Sequence, residues 1–388
     1  MIEEEPWEEV PLEPTQLPLV LTEVSLREAR KAVSKIKYVL EIAQEFRNIL
    51  EKEGMLGSLP VADGVLDCIA IDSDFTYPPL ELVAGRLFIA IRACVFWGSS
   101  FCKDKPRVLS EALVRFLRDS VEERTTILLA KRFERQLANE LLEAKARGEA
   151  NFEALLIDGE IIPRVPLIYR SAFEAKVSRG LIDELRTMIE LASDTKTYII
   201  GIIKRVQGRD LSIITGVKLP FNDKAVGTLI LRSGEYISIG KVHEIIKKAS
   251  EGEVKPSRRW LKRIVEKVPE IGEVGVFLFK TRNFTLYDIA TKIEAYIPQG
   301  LSTGDFIKVL AKLARLTGQT GVPHPTDLAD RICSIRGDII GSIHQKLISD
   351  AVKEMDNISG VIRALGLINP EKLYPYEYRA WRIRPRHQ

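Results

Sequence analysis

Apolar residues recur on alternating three- and four-residue steps through 25–53, at Leu26, Ala29, Val33, Ile36, Leu40, Ala43 and Leu50, with Arg47 as the break. That repeat predicts a long amphipathic helix, opened by a Ser25/Glu28 capping-box pattern and stopped at Gly54. From 65 to 98 the pattern changes to alternation. Residues 66–72 (LDCIAID) read as a strand ending in Asp72, and 82–97 as one or two more strands joined by tight turns. Helical periodicity covers about 107–147, and 152–158 (FEALLID) is a short apolar strand closed by Asp-Gly. A helix over 170–193 precedes a strand over 197–204. Residues 210–240 read as β-meander or loop, and 241–266 as a basic helix. Strands at 273–280 and 286–297 lead to helices at 302–316 and 325–356. Antiparallel strands first, then a helix and a strand pairing in parallel, describe an α/β chain with a mixed sheet flanked by helices. The order fits a ribonuclease H-like core with insertions.

Composition narrows the class. With 388 residues, 45% hydrophobic and 29% charged, the chain can bury a sizeable core beneath a charged surface. No apolar run approaches the roughly 20 residues of a membrane helix. The first 13 residues hold six carboxylates and no basic group, the opposite of a secretory or mitochondrial leader. A soluble, cytoplasmic protein is expected. Cys68, Cys94, Cys102 and Cys333 lack CxxC spacing and read as buried thiols in a reducing compartment. Net charge is only +3, but it is unevenly spread. Basic runs at 255–263 (KPSRRWLKR) and 379–386 (RAWRIRPR) oppose the acidic start. Either they meet a polyanion or acidic partner, or they are solvated surface. Trp260 and Trp381, inside these runs, either stack on unpaired bases or pack under the core.

Candidate chemistry lies in acids at unusual positions. Asp72 shares a strand face with Cys68 and Ala70, and Asp158 shares one with Ala154 and Leu156. Acids at strand ends of one sheet can meet, although Asp158-Gly159 is also a common turn dipeptide. Glu134 falls between Ala130 and Leu137 on an apolar helix face. There it must be paired with Arg or Lys, protonated, or metal-bound. Lys204 closes the strand over 197–204, on the face of Ile200 and Ile202. It is either a lysine emerging into solvent or, beside a carboxylate cluster, a group for a phosphate oxygen. Asp330 opens the last long helix, after His324 and Asp327. Asp327 and Asp330 also suit a helix N-terminus.

Together these segments resemble the NurA family of archaeal nucleases. The likeness rests on the strand ending in Asp72, 81–93 (ELVAGRLFIAIRA), Glu134 in 133–142 (FERQLANELL), 155–159 (LLIDG), 201–204 (GIIK) and 321–330 (GVPHPTDLAD). These run in order across about 62–345. The resemblance implies a ribonuclease H-like, Argonaute/PIWI-like core acting on DNA with manganese or magnesium. It also implies a homodimer, and partnership with HerA, a hexameric DNA-translocating ATPase, in end resection and recombinational repair. By position Asp72, Glu134, Asp158 and Asp330 match the metal-binding acids and Lys204 the active-site lysine. Two departures stand out. The usual Asp-Gly-Ser is Asp72-Ser73-Asp74 here, and Asp330 stands where the late motif often has His.

The resulting expectation is a metal-dependent deoxyribonuclease, a 5′-3′ exonuclease with single-strand endonuclease activity, in which the four acids hold two divalent cations. The competing expectation is a non-catalytic DNA clamp or adaptor for a DNA-translocating ATPase. The chain divides into an acidic arm plus long helix (1–57, a candidate dimer contact), a nuclease domain (58–356) with an insertion around 205–270, and a basic, aromatic tail (357–388).

Overall fold

The computed structural model describes residues 17–368 except 119–120, 122, 164–168, 252–258, 282–287, 336 and 356. The acidic arm before Leu17, the part of the tail beyond 368 that holds Trp381, and 255–258 of the internal basic run lie outside the described residues.

The chain opens with helix α1 (Leu17–Lys52) and short β1 (Leu56–Ser58), then β2 (Cys68–Phe75), β3 (Leu80–Leu82), β4 (Gly85–Trp97), β5 (Phe101–Cys102) and β6 (Val108–Leu117). Helix α2 (Glu123–Ala146) leads to β7 (Ala150–Asn151), which pairs only β5, and to β8 (Ala154–Asp158). Helix α3 (Ala172–Asp194) then returns the chain to β9 (Tyr198–Ile203). Five of these strands lie in the order β6-β4-β2-β8-β9. The first three are antiparallel neighbours, while β8 runs parallel to β2 and β9 parallel to β8. Numbered by chain order this is 3-2-1-4-5, a three-stranded meander extended by two parallel crossovers through helices. It is the ribonuclease H-like arrangement.

A second module widens the sheet. Helices α4 (Asp210–Thr215) and α5 (Asp223–Ile230), β10 (Glu235–Lys241), α6 (Val242–Glu251), α7 (Arg259–Lys267), β11 (Gly275–Phe279) and β12 (Thr291–Tyr296) follow β9. Strands β12, β11, β10 and β1 add antiparallel to its edge. Helices α8 (Thr303–Leu316), α9 (His324–Cys333), α10 (Gly337–Glu354) and α11 (Ile358–Leu365) complete the described chain.

Alternation along the central strands builds two cores. Ile69, Ile71, Leu155 and Ile157 face α2 and α3 among Phe88, Leu137, Leu141 and Leu185. Cys68, Ala70, Leu156, Ile200 and Ile202 face the other way, beneath Phe306, Leu310 and Ala329 of α8 and α9. Asp72 and Asp158 continue this second set, so their side chains emerge where the sheet meets α9.

The helix expected over 325–356 is two, α9 and α10, and three further elements differ from the periodicity. Residues 108–117 pair along β4 from Val95↔Val108 to Arg86↔Leu117. They form an edge strand, with Ser110, Ala112 and Val114 exposed. Their helix-forming composition yields to the ladder that β4 offers. Residues 210–240 form two short helices and β10. The two carboxylate oxygens of Asp223 accept the N–H groups of Asp210 (2.9 Å) and Leu211 (3.0 Å) and start α4, a contact no local pattern announces. Finally, α1 begins eight residues early, so Ser25 and Glu28 lie inside it and cap nothing.

Only the C-terminal part of α1 packs on the body, through Val39, Phe46 and Leu50. Arg47, the break in the stripe, is buried there. It donates to both Glu235 oxygens (2.8 Å each) and to the Ile230 carbonyl (3.0 Å). Toward the N-terminus Leu26, Val33 and Leu40 remain 55, 60 and 53% exposed.

Candidate active site

The sheet brings all five predicted residues to one edge. Strand β2 does not stop at Asp72 but runs to Phe75 beside β4. What stops there is the parallel ladder, whose last pair is Ile71↔Ile157. Asp72 therefore sits in the notch where β2 outruns β8, and is buried. Asp158 closes β8, and Lys204 follows β9 directly. Lys204 Nζ lies 2.5 Å from Asp158 and 2.5 Å from Asp330, bridging the sheet to α9. Asp330 does not open its helix. It lies two turns inside α9, next to the fully buried Ala329, which fixes it over the sheet. Asp327 holds the first-turn position instead and pairs with Arg331 at 2.8 Å.

Glu134 approaches from α2 on the other side of β2 and is 2% exposed. It accepts from Ser73 Oγ at 3.0 Å, and Ser73 N–H in turn donates to Asp72 at 2.7 Å. Its cation is Arg135, which is fully buried and also donates to the carbonyl of Glu160 at 2.6 Å. One guanidinium thus ties Glu134 to the turn that follows Asp158. Asp74, the additional acid of the departing motif, accepts from the backbone N–H of Phe75 (2.9 Å) and Ile335 (2.7 Å), pinning the segment between α9 and α10.

Two neighbours escaped the sequence reading. Arg135 follows a residue that was singled out, but being next to Glu134 on a helix it should face elsewhere. The length of its side chain brings it back. Cys333 was read only as a buried thiol, which it is. It also donates to Asp72 at 3.4 Å, and potential ligand atoms of Asp72, Asp330 and Cys333 lie within 4.8 Å of one another. The signal was available, since Cys333 is three residues beyond Asp330 on one helix face.

The electrostatics identify what this edge can hold. Burial, reinforced by Asp158, Glu134 and Asp330, pushes the Asp72 carboxyl up to about 9. Asp158 is also raised, because burial outweighs the opposing pull of Lys204. Burial works against the Lys204 ammonium too, but its bonds to Asp158 and Asp330 prevail and raise its pKa. Burial, then Asp72, raises the Cys333 thiol far above its usual range, so it stays neutral. Among the described residues the cations bonded to these four acids are Lys204 and Arg135, and Asp72 is bonded to neither. That shortage of positive charge, with carboxylate oxygens as donors, suits hard divalent cations such as manganese or magnesium.

Residues 68–335 match the NurA domain family. The chain belongs to the NurA family. No curated protein matches it. Among solved structures, it is similar to the NurA nuclease of Sulfolobus solfataricus at 15% identity, covering 85% of this chain and 98% of that one with a TM-score of 0.53. A NurA structure with manganese matches at 12% identity and TM-score 0.53, covering 87% and 99%. A further NurA structure matches at 11% and 0.51, covering 88% and 99%. At such identities the likeness carries the fold, and the ribonuclease H-like order of strands is common ground.

Proposed function

We propose that this chain is a metal-dependent deoxyribonuclease, a 5′-3′ exonuclease with single-strand endonuclease activity. The observation that carries this reading is the convergence of Asp72, Glu134, Asp158 and Asp330 around Lys204 at one sheet edge. Family membership supports it, as does the manganese in one related structure, which belongs to that protein. The chemistry that two bound manganese or magnesium ions would supply here is activation of a water and neutralisation of charge at the leaving oxygen. The chain's own residues do the rest. The four carboxylates hold the ions, and Ser73 and Arg135 keep Glu134 turned toward them. Lys204, placed between Asp158 and Asp330, would hold a non-bridging oxygen of the scissile phosphate.

The first test is digestion of end-labelled DNA with manganese, magnesium or EDTA. Cleavage in manganese and none in EDTA is expected. No cleavage with either ion, even with a partner ATPase present, favours the DNA clamp instead. Lys204→Ala should lower the rate by about 10²–10³-fold without weakening manganese binding, because two carboxylates lose a competing cation. A parallel loss of metal affinity, read by calorimetry, would count against this role.

We further infer a homodimer that works in the cytoplasm with a HerA-type hexameric ATPase in DNA end resection and recombinational repair. No described helix is long and apolar enough to cross a membrane. The exposed seam of Leu26, Val33, Ile36 and Leu40 on α1 repeats at coiled-coil spacing, which supports a second copy as its cover. Leu40→Glu places a charge in that seam. Light scattering at micromolar concentration should then give a monomer where the wild type gives a dimer. A dimeric variant would place the contact elsewhere.

A further inference from the structure

A cavity of about 290 Å³ opens among β9, β12 and helices α4, α6 and α7. It adjoins the acid cluster along the chain at two points. Glu160, two residues beyond Asp158, lines it, and so does Arg205, which directly follows Lys204. Lys204 is held by two acids. Arg205 is exposed and has no carboxylate partner among the described residues.

The lining has a divided character. Trp260, Ile203, Val242 and Ile245 are apolar. Trp260 comes from the basic run that the acid cluster does not use, and it is partly buried against the core. The polar lining includes Lys292 and Glu294, neighbours on one face of β12. Lys292 is already satisfied, 2.6 Å from both Asp210 and Asp223. Glu294 accepts from the backbone N–H groups of Ile162 (3.1 Å) and Ile161 and forms no ion pair among the described residues, although the Lys292 charge acts on it. A carboxylate accepts up to about four hydrogen bonds, so Glu294 has capacity left. An indole, a carboxylate outside any ion pair and an exposed guanidinium match the three parts of a nucleotide. These are a flat ring, its exocyclic amino group and its phosphate.

We propose that this cavity binds the base of a nucleotide adjoining the scissile phosphate, with Trp260 against the ring, Glu294 accepting from its exocyclic amino group and Arg205 on its phosphate. The position of the base relative to the cut bond rests on the nuclease reading; binding itself does not. Bases that carry an amino group should be preferred to those that carry a carbonyl in its place. Cytosine and uracil differ at that group and at the adjoining N3, which accepts in cytosine and carries a proton in uracil.

The test follows tryptophan fluorescence of the full chain in EDTA, titrated with dCMP, dUMP and deoxycytidine. At about pH 8.5 Glu294, raised to about 7 by burial and Glu160, is ionised and accepts only. Saturable quenching by dCMP at or below about 1 mM is expected, weaker for dUMP, with the signal lost in Trp260→Phe. Arg205→Ala should weaken dCMP about tenfold and leave deoxycytidine unchanged, and Glu294→Gln should erase the preference for dCMP over dUMP. Quenching that survives Trp260→Phe, or no saturable quenching, overturns the base site. So does equal loss of dCMP and deoxycytidine in Arg205→Ala. A chain that binds dCMP as described yet cuts no DNA in manganese keeps the base site and loses the nuclease reading. One that cuts DNA but fails the titration loses only the base site.

Discussion

Asp72→Asn should reduce manganese-dependent cleavage by about 10³-fold or more and, at the same time, stabilise the metal-free protein at neutral pH. Both effects come from one placement. Asp72 is buried where three other acids converge, and its carboxyl is raised from 3.8 to about 9. Between those values the folded chain keeps a proton that the unfolded chain has lost. Stability of the metal-free protein therefore falls as pH rises from about 4 toward 9, by up to about 1.4 kcal/mol per pH unit from this group. Asparagine has no proton to lose, so the variant's melting temperature should respond less to pH between 5 and 8. Manganese binding near pH 7 should release a proton in the wild type that the variant does not release. Calorimetry in two buffers of different ionisation heat measures this. Undiminished cleavage by the variant would remove Asp72 from the site. A wild-type melting temperature that rises from pH 5 to 8 without metal would contradict the electrostatic account.

Lys292→Met should cost about 3–5 kcal/mol of stability, read by urea denaturation. Lys292 is 3% exposed and lies 2.6 Å from both Asp210 and Asp223. Methionine fills much of the same volume but removes the cation that the two buried carboxylates share. Asp223 also anchors the N–H groups that start α4, so hydrogen exchange should accelerate first across 208–230. Changing both acids to Asn in the Lys292→Met background should restore most of the loss, since neutral amides carry a far smaller burial penalty. A loss below about 1 kcal/mol would mean that water reaches the triad and screens it.

The parts of this site that were legible in the sequence are those set by a single element. Alternation alone puts Asp72 and Asp158 on one sheet face, and helical spacing alone turns Glu134 inward. Both patterns extend over enough apolar residues to fix orientation. Glu134 has the arginine partner that one of its readings required, and it also sits among the acids. Contacts made between elements were not legible. Nothing near Asp330 announces that α9 crosses β2, or that Cys333 meets Asp72 there. Nor does local sequence show that residues 108–117 will be claimed by the edge of β4. The helical tendency of that segment was a fair local reading overridden by a partner twenty residues upstream. Arg135 was hidden differently, because helical spacing describes where a side chain starts and not where a long one ends.

The union of α9 with β2 also governs when activity can arise. Asp72 meets Cys333, and Asp74 meets Ile335, across 261 residues each. At about 5–20 residues per second of synthesis, β2 waits on the order of tens of seconds for those partners. During that interval the growing chain has neither Asp330 nor the helix that covers Cys68 and Ala70. A ribosome-bound fragment therefore cannot assemble the complete set of acids. A chain truncated before α9 keeps an apolar sheet face uncovered and should aggregate, not cut DNA. The last acid of the set arrives with the helix that covers Cys68 and Ala70, so a chain still short of α9 holds neither.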